Sequence, residues 1–141
     1  MSFSIRQATA ADIAAMHRLR KAVRENRLAT HTLITERSYD PFIAAGSAWV
    51  AENGARLCGF AALDASKASV WALFVHPEAE GTGVGRALQA TMLDWARERG
   101  LSRLSLSTQE HSRAVRFYKE AGWTRTGVSR AGEVFFKRSL R

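Results

Sequence analysis

Between Ser69 and Arg99 the chain runs from a bulky apolar stretch, Ser69-Val70-Trp71-Ala72-Leu73-Phe74-Val75, into a glycine-rich turn and then into a stretch with helical periodicity. Three glycines, Gly81, Gly83 and Gly85, alternate over five positions at that junction. Val84, Leu88, Met92 and Trp95 then recur on one helical face, and Gly100 ends it. The pattern reads as a central buried strand, a turn and a helix of about residues 83–99. Such a turn exposes several backbone N–H groups at the positive end of a helix dipole, an anion site best suited to phosphate. Glycine lets the backbone approach the anion without a Cβ in the way. The dinucleotide fingerprint G-x-G-x-x-G is not met, because its last position falls on Arg86 when counted from Gly81 and on Leu88 when counted from Gly83. The Gly-Lys-Ser/Thr ending of a P-loop is absent too.

The remaining elements can be placed around this unit. Phe3 to Arg6 alternates as a short strand. Thr9 and Asp12 have capping-box spacing, so a helix is expected to about Asn26 with Ile13, Met16, Leu19 and Val23 on its apolar stripe. A second helix is expected over about 36–45, ended by Gly46. Residues 48–52 and 57–63 flank Asn53-Gly54 and form a hairpin, with both turn residues expected at positive φ. Leu101 to Ser107 is a strand and Ser112 to Ala121 a helix, and strands at about 123–128 and 133–137 close the chain. The fold class is α/β (α+β), with a mixed, largely antiparallel central sheet flanked by about four helices.

The 141 residues fit one domain, 1–141. One cysteine, Cys58, excludes an internal disulfide framework, and four scattered histidines lack metal-ligand spacing, so no metal is expected. No apolar run approaches the ~20 residues of a membrane span, and the first residues lack a signal-peptide core, so a cytoplasmic protein is expected. The formal net charge is +8, and it is uneven: residues 1–64 carry 8 basic and 6 acidic side chains, residues 65–141 carry 13 and 7. A basic half points to a polyanion, either nucleic acid or a phosphorylated small molecule. The aromatic residues fall mostly at core spacing, which disfavours a nucleic-acid surface.

Two motifs carry a resemblance. Glu80-Gly81-Thr82-Gly83-Val84-Gly85 follows Phe74-Val75-His76-Pro77, and His111-Ser112-Arg113-Ala114-Val115-Arg116-Phe117-Tyr118 leads to Ala121-Gly122-Trp123. In order and separation they resemble the acetyl-CoA motif Arg/Gln-x-x-Gly-x-Gly/Ala and the Asn-x-x-Ala-x-x-aromatic-Tyr-x-x-x-Gly-Phe segment of the GCN5-related N-acetyltransferase (GNAT) superfamily. The element order extends the likeness over essentially the whole chain. Glu80 replaces the usual Arg/Gln, and His111 replaces the common Asn.

The resemblance implies acetyl transfer from acetyl-CoA to a primary amine of a small molecule or peptide by direct attack. A non-catalytic acyl-CoA-binding module is the alternative. The sequence features above are expected to go with a cytoplasmic enzyme without a nucleic-acid or membrane partner, and the resemblance allows a homodimer, since family members often dimerise. The amides of Gly81, Thr82, Gly83, Val84, Gly85 and Arg86 would hold the diphosphate. The backbone of Leu73, Phe74 and Val75 would pair with the pantetheine arm like an added strand, and His111, Ala114 and Phe117 would complete the cofactor site. Tyr118 would protonate the leaving thiolate. Glu25, Asn26 and Trp71, with Tyr39, would line the acceptor site. An amine of pKa about 10.4 must also lose a proton, which costs roughly 4–5 kcal/mol at pH 7. The strand Ser69–Val75 has no carboxylate to take that proton, which leaves Glu25, Glu52, Asp64 and His31 as candidates. His76 reads as a residue that positions the loop.

Overall fold

The computed structural model describes residues 2–23 and 34–141. Seven strands make one sheet: β1 (Ser4–Gln7), β2 (Ala48–Asn53), β3 (Arg56–Asp64), β4 (Ser69–Val75), β5 (Arg103–Gln109), β6 (Thr124–Val128) and β7 (Glu133–Ser139). Their spatial order is β1-β2-β3-β4-β5-β7-β6, and every neighbouring pair is antiparallel except β4 and β5. The α-helices among the described residues are α1 (Ile13–Val23), α2 (Asp40–Ala45), α3 (Val84–Glu98) and α4 (Arg113–Glu120). This is the mixed, largely antiparallel architecture expected from the sequence. No helix among the described residues is long and apolar enough to cross a membrane.

Local chemistry explains the boundaries. The Asp12 carboxylate accepts the Thr9 N–H at 2.7 Å, so the capping box forms, although its first turn, Ala10–Asp12, is a 3-10 turn. Arg6 holds Asp12 and Glu52 at 2.8 Å each and ties β1 to β2 and to the turn that leads into α1. That guanidinium draws the Asp12 carboxyl down to about 2. Gly46 ends α2 at φ +70°. The β2–β3 turn differs from expectation by one residue. Asn53 still pairs with Arg56, so the two turn residues are Gly54 and Ala55, and only Gly54 has positive φ, at +64°. A single left-handed residue at the first turn position is the pattern of a II′ rather than a I′ turn.

The sheet's first half is covered on both faces, which accounts for the nearly unbroken apolar runs of β2 and β3. Trp49, Ala51, Cys58, Ala61 and Leu63 pack with Val84, Leu88, Met92 and Trp95 of α3. Ala48, Val50, Phe60 and Ala62 pack with Ile13, Met16 and Leu19 of α1 and Phe42 of α2. In the second half Leu104, Leu106, Val134 and Phe136 face the α3 side, while Phe135 is 40% exposed on the other.

The approach of α3 to β3 depends on Gly59. A Cβ there would lie 2.9 Å from Val84 Cγ1, 3.0 Å from Leu88 Cδ1 and 3.1 Å from the Phe74 carbonyl oxygen. Gly59→Ala is therefore expected to destabilise the fold by about 1–3 kcal/mol through overpacking. Urea unfolding of the two proteins measures this, and an unchanged midpoint would contradict the packing described.

Candidate active site

β4 and β5 pair only at Ser69 and Ser105, with the Ser105 N–H donating to the Ala68 carbonyl at 2.9 Å. Past that point the two strands have no ladder between them. On its other side β4 is fully engaged with β3. The His76 N–H donates to the Cys58 carbonyl at 2.8 Å, and Phe74 stands opposite Phe60 in the same phase of the ladder. By the alternation of an antiparallel pair, Leu73 and Val75 turn their N–H and C=O groups away from β3, into the gap. Phe74, grouped with them in the sequence reading, has its backbone committed to β3. The β3–β4 register shifts so that Ala62 pairs with Ala72 and Leu63 with Val70, which leaves Trp71 as the extra residue of a bulge. Trp71 and Ala72 consequently both face the α1–α2 cluster.

The glycine turn sits at the end of this gap. Gly81 and Gly83 adopt φ +78° and +94°, with open space where a Cβ would project. Gly83 is the N-cap of α3, and the first backbone bond into the helix is Ala87 N–H to the Gly83 carbonyl at 3.0 Å. The N–H groups of Gly81, Gly83, Val84, Gly85 and Arg86 therefore have no backbone acceptor. Thr82 departs from the sequence reading: its N–H and its hydroxyl both donate to the Ala79 carbonyl, so its amide is already used. Gly85 permits a close fit, since a Cβ there would lie 3.4 Å from both Phe117 and Val75. His76 Nδ1 accepts the Glu78 N–H at 3.1 Å and so shapes the turn. Glu80 is turned to Arg113 at 3.0 Å, so the carboxylate is neutralised across the mouth of the gap. Arg86 is exposed and forms no ion pair among the described residues.

Helix α4 forms the opposite wall. Ala114 and Phe117 pack towards α3. Tyr118 is 5% exposed, packed edge-on against Phe117 and Trp123 and tilted against Phe136, with ring centroids 5.2–5.9 Å apart. Burial pushes its phenol pKa well above the ordinary value, so the hydroxyl keeps its proton and can act as a donor. The Trp123 indole N–H donates to the Oε1 of buried Gln89, locking the end of α4 to the middle of α3. His111 takes φ +63°, a left-handed conformation that His, like Asn, tolerates better than most residues. It lines a shallow depression with Arg116, Lys119 and Arg125, on the flank of α4 opposite Ala114 and Phe117.

On the other face, Trp71 meets Tyr39 at 5.1 Å and Phe42 at 4.5 Å between ring centroids. Glu25 and Asn26, with His31, lie outside the described residues. Of the other candidate bases, Glu52 is held by Arg6, and Asp64 accepts from the Ser66 hydroxyl and the Lys67 N–H. The sequence reading missed Arg20, which is buried beside Trp71, and the contact of His17 Nδ1 with the Tyr39 hydroxyl at 3.1 Å. Arg20 was legible: it follows Ile13 by seven and Met16 by four, an arginine on the apolar stripe.

Trp123→Phe keeps the aromatic packing but strands the Gln89 amide, so a loss of about 1–3 kcal/mol in unfolding free energy is expected. Restoration by Gln89→Leu in the same chain would confirm the source of the loss, and a single variant as stable as the parent would refute it.

The sequence model of the acetyltransferase (GNAT) family matches residues 13–123. Among curated proteins, the mycothiol acetyltransferase of Sanguibacter keddieii is 37% identical over 70% of this chain and 35% of its own length. That of Thermobispora bispora is 32% identical over 67% of this chain and 36% of its own length. The chain thus spans about a third of these relatives. Among solved structures, an N-acetyltransferase from Staphylococcus aureus Mu50 superimposes with a TM-score of 0.84 over all of both chains at 16% identity. The PaiA N-acetyltransferase of Thermoplasma acidophilum, in complex with coenzyme A, does so with a TM-score of 0.80 over 99% of each chain, also at 16% identity. With a family match over most of its length and a fold shared from end to end, the chain belongs to the acetyltransferase (GNAT) family.

Proposed function

We propose that the chain is an acetyl-CoA-dependent N-acetyltransferase acting on a primary amine of a small molecule or peptide. The observation that carries this reading is the pair of open backbone stretches along one gap. Leu73 and Val75 are open on the edge of β4, and the amides of Gly81, Gly83, Val84, Gly85 and Arg86 are open at its end, with the bonded turn of residues 76–80 between them. Such an arrangement fits a long ligand with an amide-bearing arm and a diphosphate. The likeness to the mycothiol acetyltransferases supports the reaction type.

When bound, acetyl-CoA supplies an activated acyl group and a thiolate leaving group. The chain's own residues bind, orient and manage protons. The unpaired amides at the start of α3, together with the Arg86 guanidinium, hold phosphate oxygens. Leu73 and Val75 offer strand-like hydrogen bonds, and an N–H on that edge is placed to stabilise negative charge on a carbonyl oxygen. Tyr118 keeps its proton at the hydroxyl, and its place in the α4 segment supports it as the donor that would protonate a thiolate. The Glu80–Arg113 pair keeps a carboxylate from repelling the diphosphate. The aromatic wall of Trp71, Tyr39 and Phe42 excludes water on the acceptor side.

The test is acetyl-CoA turnover with thiol detection across amines, amino acids and peptide N-termini. CoA release that depends on an added amine is expected. Tight acetyl-CoA binding without release for any amine would leave the non-catalytic module. Tyr118→Phe is expected to lower kcat by about 10²-fold or more with the CoA Kd nearly unchanged, and an unchanged kcat would remove Tyr118 from its role. Glu80→Gln frees Arg113 for the diphosphate and is expected to tighten CoA roughly 3- to 10-fold in titration calorimetry. Its stability should shift by less than about 1 kcal/mol, as for an exposed pair.

A further inference from the structure

Arg20 is an anomaly on the acceptor face. It lies on the buried side of α1 and is only 7% exposed. Its guanidinium stacks over Trp71 at 4.5 Å and over Phe74 at 5.0 Å from the ring centroids. The Tyr39 hydroxyl beside it is pushed above its ordinary pKa by burial, and the nearby guanidinium opposes that shift. Its Nη1 is buried with no hydrogen-bond partner. No ion pair among the described residues involves it. Among the described residues, the groups packed around it, Tyr39, Trp71 and Phe74, are not acidic, and the Glu36 carboxylate that acts on Tyr39 forms no ion pair with it. A buried charge without a partner is costly, and a guanidinium is a planar fork of donors matched to a carboxylate.

Its position gives the anomaly a use. Trp71 and Phe74 belong to β4, the strand whose other edge carries the open Leu73 and Val75 groups. The free donor therefore lies on the face opposite the glycine turn, next to the strand where acyl transfer is proposed. We propose that Arg20 receives the carboxylate of the acceptor, and that the acceptor is accordingly an amino acid with a free carboxylate. This rests on the acetyltransferase reading and narrows it from amines in general to amines that carry a carboxylate. Trp71 and Phe74 flank the guanidinium, and Tyr39 lies beside it.

The test compares the twenty amino acids with their α-carboxamides, for the wild type, Arg20→Met and Arg20→Lys, all in saturating CoA or acetyl-CoA. Thermal melting reads binding, and CoA release reads turnover. At least one amino acid is expected to raise the melting temperature of the wild type while its carboxamide does not. The kcat/KM ratio of carboxylate to carboxamide should be roughly 10- to 100-fold, the range of a charged hydrogen-bond pair. In Arg20→Met, which keeps an apolar stem between the two rings, that ratio should fall to about one with the melting shift caused by CoA itself retained. Arg20→Lys, a point charge without the fork, should be intermediate, and it serves should the methionine variant fail to fold. Equal binding and turnover of acids and amides by the wild type would overturn the proposal. So would an Arg20 variant that slows both alike and keeps the ratio. Arg20-dependent binding of an amino acid without any CoA release would uphold the anion site and defeat the acetyltransferase reading instead.

Discussion

Backbone N–H and C=O groups must find partners, and in this chain one stretch of central strand does not find them within the sheet. β4 is zipped to β3 along its length, yet it meets β5 at a single residue pair, Ser69 with Ser105. An interior strand of a seven-stranded sheet thereby gains an open edge in the middle of the molecule. Groups left in this state need water or a ligand. Everything that shapes the site follows from how the two halves of the sheet are held apart. α3 is seated on the first half through Val84, Leu88 and Met92, and α4 on the second through Tyr118 against Phe136. The wedge between them stays open because each helix is bonded to its own half.

Two small residues set how near these walls come. Gly59 lets α3 press onto β3, and Gly85 lets its first turn meet Phe117 and Val75. The Gln89–Trp123 bond then fixes the separation of α3 and α4 from behind. The unpaired amides of α3 are held at a set distance from the open edge of β4, so a ligand that spans both loses little freedom in the protein on binding. Preorganisation of this kind favours affinity more than added contacts do.

Much of this arrangement is legible in the sequence, and the parts that are not have a common cause. Periodicity and glycine placement locate each strand and helix, because a buried face and a left-handed turn leave marks within a few residues. The capping box at Thr9 and Asp12 and the helix stop at Gly46 are of that kind. The bulge at Trp71 leaves no such mark: no glycine signals it, and it exists only because β3 and β4 differ by one residue between Ala62 and Leu63. The commitment of Phe74 to β3, the self-contained Thr82 and the pairing of Glu80 with Arg113 are likewise properties of partners far apart in the chain or of one turn's exact path. The left-handed backbone of His111 is another such property, set by the path into α4 and compatible with the place of an asparagine.

The uneven positive charge can be divided by what each side chain touches. Arg97 donates to the Leu140 carbonyl at 3.2 Å and fastens the chain's end to α3, and Arg99 covers Trp95 at 4.0 Å from its ring centroid. Arg116 faces Glu120 at 3.5 Å and Arg125 faces Glu110 at 3.3 Å. These charges are occupied, and beyond a screening length of about 10 Å they contribute little to a distant anion at 0.1 M salt. What remains near the glycine turn is Arg86 and the half-engaged Arg113, beside five unpaired amides. An anion held at the glycine turn would rest mainly on fixed backbone dipoles at the start of α3, with Arg86 and Arg113 beside them.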